Sequence, residues 1–437
     1  MTAVAIRRLR VENFRSFKQL DLELSDFNVV IGANASGKSN LVQIFRFLRD
    51  IGEHGLEDAV SLQGGIEYLR TLTEPSGSPE EKATTHTVCD VTWEFRHLPR
   101  AGYGTSLSDV TGYACREARH RLELRVIERG PDYEVVEEIL ELDLEIAPPR
   151  DTAEETRPPR KNGSPGSARI RLLRQGQYIE GHWPNELPFS SDLDAFFRWM
   201  APKLTPSTSS LVLARLLPPA NFLPPLFTES GPIAVFDFEP KLPKSAVLAA
   251  GRATLEENGE NLAIVLKDIL KDPSKRRKLN NLLRHILDFV EDLDVQQLPD
   301  QSLFLRIAER YAPGMYFPAH LVSDGTVNVI ALLVALHFDA RQTIVIEEPE
   351  RNIHPYLIKR LVEEMREVSR HKQILITTHN PELVRHALPQ ELLLISRDKR
   401  GLSHVSRPAE KESVKFFLEQ EMGIEEMYVQ NLLELPS

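Results

Sequence analysis

Phe27-Asn28-Val29-Val30-Ile31-Gly32-Ala33-Asn34-Ala35-Ser36-Gly37-Lys38-Ser39-Asn40 decides how the chain is read. Phe27 to Ile31 is a short apolar run of the kind that fills a buried central strand. Gly32 to Ser39 satisfies G-x-x-x-x-G-K-[ST] at every fixed position. Asn40–Arg49 then places Leu41, Ile44, Phe45 and Leu48 on one helical face. Strand, glycine-bearing loop and helix in that order predict a phosphate-binding loop. Glycines let consecutive backbone N–H groups curl around phosphate oxygens at the positive end of the helix. Lys38 is expected to reach the β- and γ-phosphates and the Ser39 hydroxyl to ligate Mg²⁺, so the expected ligand is ATP with Mg²⁺. Ala33, Asn34, Ala35, Ser36 and Asn40 complete the expected cradle with Gly32 and Gly37.

Such a loop needs an acid at the end of another central strand. Thr343–Ile346 reads as that strand and runs straight into Glu347-Glu348-Pro349-Glu350. Adjacent residues at a strand end point to opposite sides. One carboxylate can then face the metal while its neighbour faces the attacking water. Glu347 is assigned to the Mg²⁺ shell and Glu348 to the general base; out of context the same run reads as an acidic, solvated loop. Gln373–Thr377 is a third apolar strand, ending in His379, which is expected to reach a γ-phosphate if its strand lies beside the other two. Ser323-Asp324-Gly325-Thr326 precedes an apolar helix, Val327–Leu336. Ser323 is a plausible N-cap, Gly325 permits close backbone approach, and such a helix start is either ordinary or an anion site.

The surrounding chain sets the fold class. Ile6–Val11 and Leu20–Leu24 read as strands joined by a turn at Asn13–Ser16. Val88–Phe95, Arg121–Glu128 and Tyr133–Ile146 alternate polar and apolar, as antiparallel strands with one wet face do. Proline-rich 148–167 has no apolar period and reads as a disordered loop or linker. Asp192–Met200, Leu211–Leu217, Asn258–Leu270 and Leu279–Val290 look helical. After Asp300 strands Ser302–Ile307, Thr343–Ile346 and Gln373–Thr377 alternate with helices Val327–Leu336 and Tyr356–Val368. The expected fold is α/β: a mostly parallel central sheet with an antiparallel β subdomain and an α+β insertion. The expected domains are an N-terminal lobe at 1–75, an inserted region at 76–234 and a C-terminal lobe at 235–437.

With 437 residues, 41% hydrophobic and 27% charged, the composition is that of an ordinary globular protein. No apolar run approaches a membrane span, and MTAVAIRRLRVENF is no signal peptide. Cys89 and Cys115 make neither a disulfide framework nor a zinc site, and read as small buried hydrophobes in a reducing cytoplasm. A net charge of −11 argues against a surface built to grip nucleic acid. Lys275, Arg276, Arg277 and Lys278, with Arg284 and His285, form either a local DNA contact or a solvated helix face.

Taken together, these motifs resemble the ABC-type ATPases of the SMC and RecF class, and more closely the stand-alone, OLD-like predicted ATPases. Asn13-Phe14-Arg15-Ser16-Phe17 is similar to that class's first-hairpin motif, and Gly32–Ser39 to Walker A. Ser323–Thr326 resembles the ABC signature, Ile344–Glu350 Walker B with its catalytic glutamate, and Arg351–Pro355 the D-loop region. His379 stands where the switch histidine belongs. Phe236–Pro240 and Asn258–Leu262 also resemble segments of this group. The resemblance covers about 1–75 and 235–437. It implies that two protomers sandwich two ATP molecules, with Lys38 of one and Ser323 of the other at the same γ-phosphate, and that Arg15 approaches the phosphates.

The sequence departs from the class in several places. Glu347 stands where Asp is usual, and for the Q-loop glutamine Gln63 and Gln175 are both candidates. No heptad arm is present. No D-x-D cluster appears after His379, so no nuclease activity is expected in the chain. The leading expectation is a cytoplasmic ATPase subunit that dimerises or oligomerises around ATP. It would switch a separate effector, a nuclease or toxin in a two-component anti-phage system. An ATP-locked scaffold with little turnover and a RecF-like DNA repair factor are the alternatives. The insertion is the expected place for partner binding.

Overall fold

The computed structural model describes residues 3–71, 86–96, 101–103, 111–126, 133–147, 166–175, 178–185, 187, 190–191, 193–195, 232–250, 254–420 and 422–434. The chain divides into two compact units. One comprises Met1–Leu24, Arg46–Pro232 and Arg397–His404; the other comprises Ser25–Phe45, Ile233–Ser396 and Val405–Ser437. No helix among the described residues is long and apolar enough to cross a membrane.

The first unit is built on an eight-stranded antiparallel sheet. Its order is Phe17–Glu23, Ala3–Phe14, His86–Arg96, Thr111–Val126, Tyr133–Ala147, Gly166–Gln175 and Tyr178–His182, with Ala101–Tyr103 paired to Thr111–Val126. The strands of the middle region therefore continue the sheet begun by the N-terminal hairpin, with Leu9 facing Val91 and Val11 facing Cys89. Alternation made these strands legible, and Leu122, Leu124, Leu140, Leu142 and Leu144 are the buried half of it. Cys89 and Cys115 are buried, as expected of them, and burial pushes their thiols up to about 12.

Residues 148–165 of the loop expected to be disordered, and most of the helices expected at 192–200 and 211–217, lie outside the described residues. Gly166 and Ser167, assigned to that loop, instead open the strand Gly166–Gln175.

A second sheet is six-stranded, in the order Ile233–Phe236, Thr343–Glu347, Gln373–Thr377, Phe27–Ile31, Leu392–Arg397 and Ser403–Ser406. The first five strands run parallel. Parallel strands with both faces covered read as unbroken apolar runs, and Phe27–Ile31, Ile233–Phe236 and Gln373–Thr377 are buried at every position. The helix Asp324–Phe338 is buried from Thr326 to Leu336, so it is apolar all round rather than amphipathic. A smaller antiparallel sheet holds Val247–Leu248, Ser302–Glu309, Val290–Gln297 and Tyr316–Pro318.

Two helices differ from expectation. The one expected at Leu279–Val290 is Pro273–Ile286, and Val290 begins a strand. Its start lies earlier because Asp272 accepts hydrogen bonds from the backbone N–H of Ser274 and Lys275, with Pro273 in the first turn. The helix expected from Asn258 begins at Leu262. Asn258 Oδ1 accepts from the Glu260 N–H at 3.1 Å and Asn261 Oδ1 from the Glu256 N–H at 2.9 Å, so these side chains hold a turn instead.

Candidate functional site

In a parallel sheet the residues just past the strands' carboxyl ends gather along one edge. Phe27–Ile31 delivers Gly32–Ser39 to that edge, Thr343–Glu347 delivers Glu348, and Gln373–Thr377 delivers Thr378 and His379. The register pairs Glu347 with Thr377, and Thr377 with Val30. The strand ending at His379 thus lies between the other two, as His379 required.

Gly32 is held by its surroundings. A Cβ there would stand 2.3 Å from the carbonyl oxygen of Ile395 and 2.7 Å from Ser36 Oγ. Ala35 and Gly37 have φ of +62° and +117°, the left-handed backbone that lets the loop curl tightly between strand and helix. Lys38 opens the helix Lys38–His54, and its ammonium donates to the carbonyls of Gly32 (2.6 Å) and Ala33 (3.0 Å). Burial lowers its pKa, against the pull of the Glu348 carboxylate, so the lysine and that glutamate share one electrostatic field. Tyr428 donates its hydroxyl to the Gly32 carbonyl at 3.2 Å. Ser39 follows Lys38 with its side chain exposed. Gly32→Ala is expected to destabilise the protein by about 1–3 kcal/mol, since the methyl meets a backbone oxygen that cannot move without its strand. Thermal unfolding checks this, and an unchanged melting temperature would contradict the close approach.

Glu347 is the last strand residue, but Glu348 has already left the strand, with φ of +45°. Strand alternation therefore does not aim Glu348. Its backbone N–H donates to Thr377 O (2.9 Å), and its carboxylate lies between two groups. Glu348 Oε1 is 2.8 Å from His379 Nδ1, and Oε2 accepts from Arg351 Nη2 at 3.4 Å. Two expected residues are thus joined directly. Left-handed backbone at a non-glycine residue costs of order 1 kcal/mol or more and concentrates at functional sites.

Sequence reasoning overlooked Glu350 and Thr378. Glu350 is buried, Thr378 donates its hydroxyl to Glu350 Oε1, and the Asn380 N–H donates to Thr378 Oγ1 at 2.9 Å. Burial pushes the Glu350 carboxyl up to about 7. The signal lay in the Glu-Pro-Glu run itself: it holds a third acid, and that acid is buried and bonded to Thr378.

Ser323 is the N-cap of Asp324–Phe338, accepting from the Thr326 N–H at 3.2 Å. A Cβ on Gly325 would stand 2.3 Å from Asn352 O, so the close approach expected of this glycine is to the turn after Glu348. Asn328 donates to Arg351 O at 2.8 Å across the same seam. Arg15 lies in the first unit with φ of +49°, and its Nη2 donates to Gln63 Oε1 at 2.8 Å. Gln175, the other Q-loop candidate, is also in the first unit and donates to Glu137 at 3.3 Å.

The donor set fits a nucleotide-bound Mg²⁺. Such an ion takes one or two protein oxygens and fills its shell from phosphates and water. Ser39 and Glu347 are of that type, and the described residues hold no group of three or more His, Cys, Asp or Glu able to cage a metal alone.

Solved structures similar to this chain include an Smc head bound to the C-winged helix domain of ScpA, 14% identical over 92% of this chain and 97% of that chain, with a TM-score of 0.49. Another is a Pyrococcus furiosus Smc head with an extended coiled coil, bound to the C-terminal domain of ScpA, at 12% identity, 96% and 100% coverage and a TM-score of 0.48. The SMC head domain from Thermotoga maritima matches at 14% identity, 92% and 98% coverage and a TM-score of 0.38. The family described as "AAA domain, putative AbiEii toxin, Type IV TA system" matches residues 27–385, from the strand before the phosphate loop to beyond His379. With most of its length matched, the chain belongs to that family, as a P-loop, ATP-binding ATPase of the AAA type.

Proposed function

We propose that the chain hydrolyses ATP and uses the cycle to assemble around the nucleotide and switch a separate effector. The observation that carries this reading is the meeting of Glu348 with His379 at the sheet edge that also bears Lys38. The loop amides from Gly32 to Asn40 and the Lys38 ammonium bind the β- and γ-phosphates. Ser39 and Glu347 hold Mg²⁺, which neutralises phosphate charge when bound. Glu348 orients the attacking water and takes its proton. His379 steadies Glu348 through Nδ1 and presents its remaining ring nitrogen towards the γ-phosphate.

Ser323 and Gly325, at a helix start, serve the nucleotide held by a second protomer, and Arg15 serves the phosphates. The lobes at 1–75 and 235–437 form the ATPase proper. The region 76–234 takes the effector, a nuclease or toxin in cytoplasmic anti-phage defence. Resemblance and the family's toxin–antitoxin description support that last assignment.

Steady-state ATP turnover by the purified chain, with and without duplex DNA, tests the reading. Lys38→Ala should abolish measurable turnover and nucleotide-dependent assembly together, since the phosphates lose their one lysine. Turnover surviving in Lys38→Ala would sink the proposal. DNA-stimulated turnover would redirect it to a DNA-loading machine.

A further inference from the structure

We infer that Arg351 is a positioning residue for Glu348, held in place for that task by Asp237 and the Phe238 carbonyl; this rests on the ATPase reading of Glu348. Glu348 lies outside the strand, so the pleat does not orient its side chain. Two side chains do so. One, His379, is half exposed. The other is fixed: Arg351 Nη1 donates to Phe238 O at 3.1 Å and lies 3.1 Å from Asp237 Oδ1, while Nη2 reaches Glu348 Oε2 at 3.4 Å.

Those anchors come from the neighbouring strand. Asp237 directly follows Ile233–Phe236, whose Phe236 pairs with Ile346 in parallel register, and its own N–H donates to Glu257 O at 2.9 Å. The planar guanidinium therefore bridges two adjacent strand ends, and its second arm sets where the Glu348 carboxylate sits. A rigid fork can do this; a lysine ammonium, a single point charge, cannot span both anchors and the target. Burial alone would lower the proton affinity of Arg351, and Asp237 with Glu348 outweigh it, so the guanidinium stays charged.

Full-length Arg351→Ala, Arg351→Lys, Asp237→Asn, Glu348→Gln and the Arg351→Ala/Glu348→Gln double variant test the inference by steady-state ATP turnover and fluorescent-nucleotide affinity. Arg351→Ala should lower kcat about tenfold with KM and nucleotide affinity within about twofold, the pattern of lost transition-state orientation. Arg351→Lys should recover only part of that loss, and Asp237→Asn should reproduce a milder form of it.

The double variant should be no slower than Glu348→Gln alone, because an arginine acting through Glu348 has nothing left to position. A wild-type kcat in Arg351→Ala beside an inactive Glu348→Gln would overturn the inference and leave the ATPase reading intact. So would a further tenfold loss in the double variant. Turnover retained in Glu348→Gln would instead defeat the reading of Glu348 as the general base, on which the inference rests, and leave ATP hydrolysis itself standing. If Arg351→Ala does not fold, Asp237→Asn and Arg351→Lys carry the same comparison, and wild-type kcat in both overturns the inference.

Discussion

Glu348→Gln should lower ATP turnover by about 10²–10⁴-fold while ATP affinity stays within about twofold. The amide keeps the size of the side chain and can still meet His379 and Arg351, but it cannot take a proton. Binding depends on the loop and Lys38, whose ammonium already has carbonyl partners at Gly32 and Ala33. The variant should therefore bind ATP and remain in the assembled state. Single-turnover kinetics together with sizing in ATP decide the matter. Wild-type hydrolysis would assign the base elsewhere, and lost ATP affinity would make Glu348 a binding residue.

The second large effect concerns pH. Glu350 has its carboxyl raised to about 7 from 4.5, principally by burial, so the folded protein holds this proton more tightly than the unfolded chain does. Below about pH 4.5 both states are protonated and the preference is fully realised. As pH rises towards about 7 the unfolded chain gives up its proton first, and stability falls across that window. Above it both states are ionised and the loss is constant. At 1.36 kcal/mol per unit, the window spans about 3 kcal/mol.

Glu350→Gln keeps an oxygen for the Thr378 hydroxyl and removes the titration. Whatever its fixed offset from wild type, the difference should move by about 2.5 kcal/mol in the variant's favour between pH 5 and pH 8. Denaturant unfolding at those two pH values reads it directly. A difference independent of pH would mean that Glu350 is ionised throughout.

Much of the fold could be read in advance, and for a physical reason. The parallel strands are buried on both faces, so their apolar runs are uninterrupted, and Thr343–Glu347 and Gln373–Thr377 are found within a residue of their expected bounds. Where side chains override periodicity the reading slips. Asp272 starts a helix six residues before the apolar pattern does, and Asn258 with Asn261 delays another. Strands without a flanking signal, such as Ile233–Phe236 and Leu392–Arg397, were not anticipated.

In the candidate site, motif spacing pointed to Lys38, Glu348 and His379, and the strand ends bring the three to one edge. It could not identify Arg351 or Thr378. Their roles arise from neighbours 114 and 28 positions away in sequence, Asp237 and Glu350, which only the folded register brings together.

That register also sets an order of events during synthesis. Phe27–Ile31 is made first, yet both of its sheet neighbours, Gln373–Thr377 and Leu392–Arg397, lie near the other end of the chain. At typical elongation rates of about 5–20 residues per second, the roughly 340 intervening residues take about 17–70 s to emerge. Through that interval an apolar strand and the loop behind it leave the ribosome without their partners. Closing so long a loop is slow, and an unpaired strand edge invites wrong pairings. A chain released before Gln373 therefore carries the whole phosphate-loop sequence without either strand that pairs beside it.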